Sequence, residues 1–276
     1  MNNNILIFGK GYIAQRLQQT LDCAATDTRI TCFSDVEAIL NKHKPEIIIN
    51  CIGHTGERNV DDCEKAVDKT LLANTYIPIL LAEAAYRHQL KFVQIGSGCV
   101  YHYDYDKPQP PIKETDMPDF YDLFYSRTRM YAEDVLTQLD PKKYDILNLR
   151  IRVPLDNKPY PKNILTKLIE YKTVIDAPNS ATYIPDLIKA LEHLLKIDAR
   201  GTYNVVCKGG LQYSTLLDEY KRFIPDFDYK IIRLKDLKLV RTNLVLSTTK
   251  LENTGFEVRT ANEVAKECIK EYVKFV

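Results

Sequence analysis

The chain opens on the apolar run Asn4–Phe8, NILIF, followed at once by Gly9-Lys10-Gly11-Tyr12-Ile13-Ala14 and a helical pattern carrying Ile13, Leu17 and Leu21. A strand, a GxGxxA loop and a helix in that order constrain the fold more than any other stretch of the sequence. A run with no polar alternation suits a strand buried on both faces, and such strands belong to parallel sheets flanked by helices. In the loop, Gly9 allows the tight turn and Gly11 lets backbone amides approach a pyrophosphate, while Ala14 lets helix and strand pack closely. The helix N-terminus adds positive potential for the anion. Gly9, Lys10, Gly11, Tyr12 and Ile13 are therefore read as a dinucleotide-binding loop, a tight turn without ligand being the plainer alternative.

The same alternation continues over the first 150 residues. Val36–His43 reads as a helix ended before Pro45, Ile47–Asn50 as a second strong strand, and Ala66–His88 as a helix kinked or broken at Pro78. Lys91–Ile95 and Tyr144–Leu149 are further strands, with a helix containing Tyr125–Arg129 between them. The pattern predicts an α/β fold: a Rossmann-type doubly wound parallel sheet in a dinucleotide-binding domain over 1–150. Beyond Arg150 the rhythm loosens, although Thr202–Val206 still looks like a strand. Residues 151–276 are read as a smaller C-terminal substrate-binding lobe, partly interleaved with the first.

A formal charge of +1 argues against broad electrostatic capture of nucleic acid or anionic membrane. No apolar run approaches the ~20 residues of a membrane span, and the N-terminus begins a strand rather than a signal peptide. Seven scattered cysteines form no CxxC pair and leave one over in any disulfide scheme. A reducing cytoplasm is the simplest setting, and no metal site is expected.

Strand carboxyl ends face the ligand crevice in an open α/β sheet. Asp27 and Arg29, just after a strand ending near Ala25, fall close to an adenosine ribose. An acid there favours NAD and an arginine favours NADP, and the reading leans to NADPH through Arg29, with NADH as the alternative. Cys51, Ile52 and Gly53, after the IIIN strand, are assigned to the cofactor, and His54 and Thr55 to the substrate, a buried structural histidine being the rival for His54. Ser97, at the end of the KFVQI strand, is placed to donate a hydrogen bond to a substrate carbonyl. Tyr125 lies 28 residues on, where it can give a proton to the same oxygen. Arg129, one helical turn further, shares its face.

Taken together, GHTGERNVDDCE at 53–64, GSGCVY at 96–101, FYSRTR at 124–129 and LRIRVP at 149–154 resemble the extended short-chain dehydrogenases/reductases. KNILTK at 162–167, APNSAT at 177–182, GTYN at 201–204 and RTN at 241–243 carry the same resemblance through nearly the whole chain. The branch is that of the dTDP-4-dehydrorhamnose reductases, and the chain is similar in particular to the epimerase/reductase domain of plant and giant-virus rhamnose synthesis. The resemblance implies a catalytic trio of Ser97, Tyr125 and the cation at 129, with two departures. The glycine loop is one residue shorter than the family's GxxGxxG, and the family's lysine is Arg129. The family's lysine anchors the nicotinamide ribose and biases the tyrosine by its charge. Arginine, always protonated and rich in donors, can do both but fits poorly into a proton relay.

The resemblance also implies a second reaction. A ketone at sugar carbon 4 acidifies the protons on carbons 3 and 5, and inverting those centres needs a base on one face and an acid on the other. Cys99 and Lys167 match the family's proton-exchanging cysteine and lysine. Asn163, Arg152, Arg241 and Asn243 are assigned to the nucleotide-diphosphate sugar, since arginine forks suit phosphate. The expected enzyme is a 3,5-epimerase/4-keto-reductase making UDP- or dTDP-L-rhamnose or an N-acetylated relative, as a homodimer. A simple 4-reductase and a nucleotide-binding regulatory subunit, like that of methionine adenosyltransferase, are the rival readings.

Overall fold

A computed structural model describes residues 4–107, 109–175, 177–236 and 240–276. In chain order its first elements are β1 (Ile5–Phe8), α1 (Tyr12–Leu21), β2 (Ala24–Thr26), α2 (Phe33–His43), β3 (Ile47–Asn50), α3 (Val67–Leu71), α4 (Ile77–Arg87), β4 (Lys91–Ser97), α5 (Phe124–Gln138) and β5 (Ile146–Ile151). There follow β6 (Pro154–Leu155), α6 (Ile164–Tyr171), β7 (Thr173–Ile175), β8 (Thr182–Tyr183), α7 (Ile184–Lys196), β9 (Gly201–Asn204), α8 (Tyr213–Lys221), β10 (Lys230–Ile232), α9 (Thr249–Glu252) and α10 (Ala261–Tyr272).

The central sheet has six strands in the order β2-β1-β3-β4-β5-β9. β1 pairs in parallel with β2 on one side and β3 on the other, and β3 pairs in parallel with β4. The strand order therefore reverses at β1, so a crevice opens outside the carboxyl ends of β1 and β3. The apolar strands explain themselves by burial. Leu6, Phe8, Ile48 and Phe92 point to one face and join Val36, Ile39 and Leu40 of α2 with Leu81 and Ala85 of α4. Ile7, Ile49 and Val93, alternating with them, are also buried. Each such side chain contributes roughly 1.5–3 kcal/mol by leaving water.

The buried polar residues of the sheet are paired. Asn50 lies opposite Gln94 and donates to its side chain at 2.8 Å, while Asn50 Oδ1 accepts the Ile52 N–H at 3.0 Å. That bond turns the chain away from the sheet just where the sequence assigns cofactor contacts.

The expected helix 66–88 is broken, as Pro78 suggested, in a particular way. Leu72–Tyr76 forms a π-helical turn between α3 and α4, with the Ile77 N–H bonded to Leu72 O, and Pro78 sits in the first turn of α4. Proline has no N–H to continue the α-helical ladder back into this segment, and the wider turn accommodates that loss.

The chain divides into two compact units. One comprises Met1–Val100, Pro118–Arg150 and Ile197–Tyr203; the other comprises Tyr101–Met117, Ile151–Lys196 and Asn204–Val276. This differs from a single cut after Arg150, because the loop 101–117 joins the second unit through Ile112, which pairs with Leu246. Conversely, β9 returns to close the central sheet. The second unit has its own core, in which Leu165 and Leu168 of α6 meet Leu216 and Leu217 of α8 and Val264, Cys268 and Ile269 of α10. Among the described residues, no helix is long and apolar enough to cross a membrane.

Candidate active site

The loop after β1 has the form a dinucleotide requires. Gly9 adopts φ +101°, and a Cβ there would stand 3.2 Å from Ile52 N, so the turn presses against the end of β3. Gly11 is the N-cap of α1 in an extended conformation, with no side chain capping the helix and nothing within 4 Å of where its Cβ would lie. No side chain at the N-cap competes for the first-turn amides of this ten-residue helix, the end at which an anion is favoured. Tyr12 is buried and Ile13 half-buried beneath them. Lys10 reaches Asp27, just past β2, at 3.2 Å, and Arg29 is exposed two residues further on.

Cys51 and Ile52 are half-buried and Gly53 is exposed at the end of β3. Desolvation pushes the Cys51 thiol well above its ordinary range, which keeps it protonated and unreactive. Beyond them, His54 is buried, and its Nδ1 lies 2.9 Å from Thr70 Oγ1. The Thr70 hydroxyl donates to Ala66 O at 2.7 Å, and Cys63 Sγ lies 3.7 Å from the same Nδ1. Thr55, half-buried, follows His54.

β4 delivers Ser97 at its carboxyl end. Gly96, the preceding residue, has no room for a side chain because Asn148 of β5 occupies that space. Ser97 Oγ accepts the Cys99 N–H at 3.1 Å, which curls the Ser-Gly-Cys turn back on itself. The Tyr125 hydroxyl donates to the same Oγ at 3.3 Å, and both residues are buried. The Ser97 proton is left for a reacting oxygen, and the Tyr125 proton, here directed at Ser97, must turn to that oxygen to be transferred. Cys99 is half-buried beside them. Arg129, half-buried on α5, holds its guanidinium carbon 5.6 Å from the Tyr125 ring centroid. Among the described residues no hydrogen bond or ion pair reaches it, and its Nε is buried without a partner. A guanidinium held without a counter-ion in a partly dry site is the usual mark of a charge kept for a ligand.

Several supporting residues went unread or underused in the sequence. Asn74, on the π-helical turn, accepts the His54 N–H at 2.8 Å and donates to His54 O at 2.9 Å and to Thr128 Oγ1 at 3.2 Å. Its neighbour Thr75 donates to Thr128 O at 2.8 Å. The wider turn thus aims two adjacent side chains at α5, one residue before Arg129. Glu64 accepts the Phe124 N–H at 2.6 Å and so caps α5, an oriented acid at a helix N-terminus. The buried Arg150–Glu133 pair, 2.5 Å apart, fastens α5 to β5. The sequence signals for these supports are the motif 53–64, the break at Pro78 and Asn74 itself, which resembles the family's helix asparagine with a backbone-bonding task.

The remaining sequence-predicted residues lie in the second unit. Lys167, half-buried on α6, has its ammonium pushed below the lysine range by burial and by the charge of Lys162, with Glu170 opposing. Asn163 is buried as the N-cap of α6: it accepts from Leu165 N and Asp156 N, both at 3.1 Å, and donates to Asp156 O and Lys158 O at 2.7 and 2.9 Å. That exhausts its bonding capacity. Arg152 is likewise turned inward, donating to Asn179 Oδ1 at 2.8 Å, to Thr242 Oγ1 at 3.0 Å and to Thr242 O. Its fork holds the 241–243 segment in place, which corrects the expectation that it reaches a diphosphate. Arg241 is half-buried and donates to Val240 O, and buried Asn243 accepts from Asn179 at 3.3 Å, its own Nδ2 having no partner among the described residues.

Residues 3–213 match the family described as the RmlD substrate binding domain. The chain belongs to that family. A bifunctional dTDP-4-dehydrorhamnose 3,5-epimerase/reductase of Arabidopsis thaliana is 30% identical over 280 residues, covering 94% of this chain and 90% of the relative. The crystal structure of the L780 UDP-rhamnose synthase from Acanthamoeba polyphaga mimivirus is similar with a TM-score of 0.90 at 24% identity, over 98% of this chain and all (100%) of that one. A dTDP-4-dehydrorhamnose reductase from Bacillus anthracis, solved with NADP, gives a TM-score of 0.84 at 20% identity, with 100% of both chains covered. The Rossmann-type fold expected from the glycine loop is thus the fold of this family.

Proposed function

We propose that this RmlD-family oxidoreductase reduces the 4-ketone of a 4-keto-6-deoxy nucleotide sugar with NADPH, after inverting carbons 3 and 5. The observation that carries the reduction is the approach of Tyr125 Oη to Ser97 Oγ, 3.3 Å apart at the end of β4, with the counter-ion-free Arg129 over the same ring. When bound, NADPH supplies the hydride. Ser97 donates to the ketone oxygen and polarises it, and Tyr125 delivers the proton as that oxygen becomes a hydroxyl. Arg129 binds the nicotinamide ribose beside the Tyr125 ring. The Gly9–Ile13 loop and the first turn of α1 bind the pyrophosphate through amides, with Cys51, Ile52 and Gly53 lining the cofactor by backbone.

The epimerisation is supported by the relatives' printed activities and by two side chains. Cys99, two residues past Ser97, exchanges the carbon-bound proton on one face. Lys167, whose depressed ammonium releases a proton more readily, acts on the other. One oxyanion site, Ser97 with Tyr125, serves the enolate and the later alkoxide. His54 and Thr55 border the sugar, and Arg241 and Asn243 bind the diphosphate, with Arg152 holding Thr242 between them. Incubating the protein and NADPH with UDP- and dTDP-4-keto-6-deoxyglucose tests the reading; L-rhamnosyl product is expected, and D-configured product alone would leave a simple 4-reductase.

Arg29 is proposed to bind the 2′-phosphate, with Lys10 neutralising Asp27, the residue that would otherwise favour NADH. Arg29→Ala should weaken NADPH binding by roughly ten- to a hundredfold and leave NADH binding nearly unchanged, as expected for loss of a charge-assisted hydrogen bond. Fluorescence titration with both coenzymes measures it; equal losses for the two would remove Arg29 from this role.

A homodimer through the tyrosine helix is the family arrangement. Val67 and Leu71 of α3 and Tyr131 and Val135 of α5 are 45%, 36%, 43% and 37% exposed, an apolar stripe suited to such a contact. Light scattering should give twice the 31.8 kDa chain mass and lose it on Tyr131→Arg, whereas a wild-type monomer rules the contact out.

A further inference from the structure

Arg129 has a neighbour whose identity the scheme above leaves unexplained. Gly53 is exposed after β3 and does not adopt a left-handed φ, so its own backbone does not require glycine. A Cβ there would, however, overlap Arg129 Nη2 and stand 3.3 Å from Arg129 Cζ and 3.6 Å from Asn74 Oδ1. We propose that Gly53 is a positioning residue for Arg129: its missing side chain is the slot that lets a planar guanidinium lie over Tyr125. The inference rests on the roles given above to Tyr125 and Arg129.

Neither backbone can retreat to admit a methyl group. Asn74 clamps the loop at both polar atoms of the His54 main chain and bonds Thr128 on α5, and Thr75 bonds the Thr128 carbonyl. Glu64 caps the start of α5, and Glu133 with Arg150 ties its middle to the sheet. The loop and the helix are thus held at a set separation, one residue from Arg129. The part free to move is the guanidinium itself, which has no internal hydrogen bond or ion pair among the described residues to hold it in place. A methyl at 53 displaces the charge from the Tyr125 ring and from any ribose beside it. A lysine tip is one compact ammonium rather than a flat fork of two terminal nitrogens, so it leaves the space beside Gly53 unfilled. Alanine at 53 is therefore compatible with lysine at 129 and incompatible with arginine.

The test is a double-mutant cycle on the full chain: wild type, Gly53→Ala, Arg129→Lys and the pair. NADPH affinity by fluorescence needs no turnover, kcat with a 4-keto-6-deoxy nucleotide sugar reports the reaction, and thermal melting reports folding. Gly53→Ala is expected to weaken NADPH binding and lower kcat, each by roughly tenfold, in the wild-type background, and by less than about twofold when added to Arg129→Lys. If Gly53→Ala alone lowers Tm, the double variant must regain it, because the overlap is with the guanidinium. Equal losses in both backgrounds, or no loss in the wild-type background, overturn the proposal. Retained turnover in Tyr125→Phe would instead overturn the reaction scheme, and the NADPH-binding cycle would still decide the role of Gly53.

Discussion

Tyr125→Phe is expected to lower kcat for reduction of the 4-keto sugar by roughly a thousandfold, with the NADPH dissociation constant unchanged within about threefold. Only one atom is removed. The aromatic ring that Arg129 covers remains, and Ser97 Oγ keeps the Cys99 N–H that orients it. What disappears is the one hydroxyl able to hand a proton to the oxygen that Ser97 polarises. Steady-state NADPH absorbance and coenzyme fluorescence together read the split. A rate that survives the change would mean that the proton comes from Ser97, Cys99 or water, and that the approach of Tyr125 to Ser97 is structural. Arg129 sharpens the point. Being permanently charged, it can support Tyr125 but cannot pass it a proton.

The second large effect separates the two reactions. Cys99→Ala and Lys167→Met should each lower deuterium uptake at carbons 3 and 5 in heavy water by roughly a hundredfold or more, the usual scale for losing a general acid or base. Reduction of a nucleotide sugar already carrying the L configuration should fall far less. Lys167→Met carries a stability signature as well. The ammonium is depressed by burial, so the folded state disfavours the charged form; that penalty is fully present below the folded value and fades as pH rises towards the ordinary lysine range. While Lys167 is charged its burial is a burden, and replacing it with an apolar side chain should leave Tm unchanged or raised. A fall in Tm, or equal losses of exchange and reduction, would make Lys167 a structural residue. Absence of exchange in the wild-type protein would leave a 4-reductase alone.

The parts of this site that were legible in the sequence are those governed by local rules. Gly9 and Gly11 follow from turn geometry, the strands from unbroken apolar runs, and the Tyr125–Arg129 pair from helical spacing. What could not be read depends on partners remote in the chain. Arg152 looked free to bind phosphate, yet Asn179 and Thr242, far along the sequence, turn it inward. Asn163 resembled a sugar ligand and is used up in capping α6. Pro78 announced a break, but only the register of the ladder reveals a π-helical turn that aims Asn74 and Thr75 at Thr128. The loop 101–117 could not be assigned to the second unit because its pairing partner, Leu246, lies near the other end of the chain. Gly53 was legible as a strand-end residue; that its missing Cβ makes room for Arg129 was not.

One measurement reaches the centre of the account: following the label from NADPH deuterated at nicotinamide C4 during incubation with UDP- and dTDP-4-keto-6-deoxy sugars. Deuterium at carbon 4 of the product, stoichiometric with coenzyme oxidation and absent with Tyr125→Phe, is the predicted result. Tight coenzyme binding with no label transferred to any of these sugars would contradict it and leave a nucleotide-binding protein on a reductase fold.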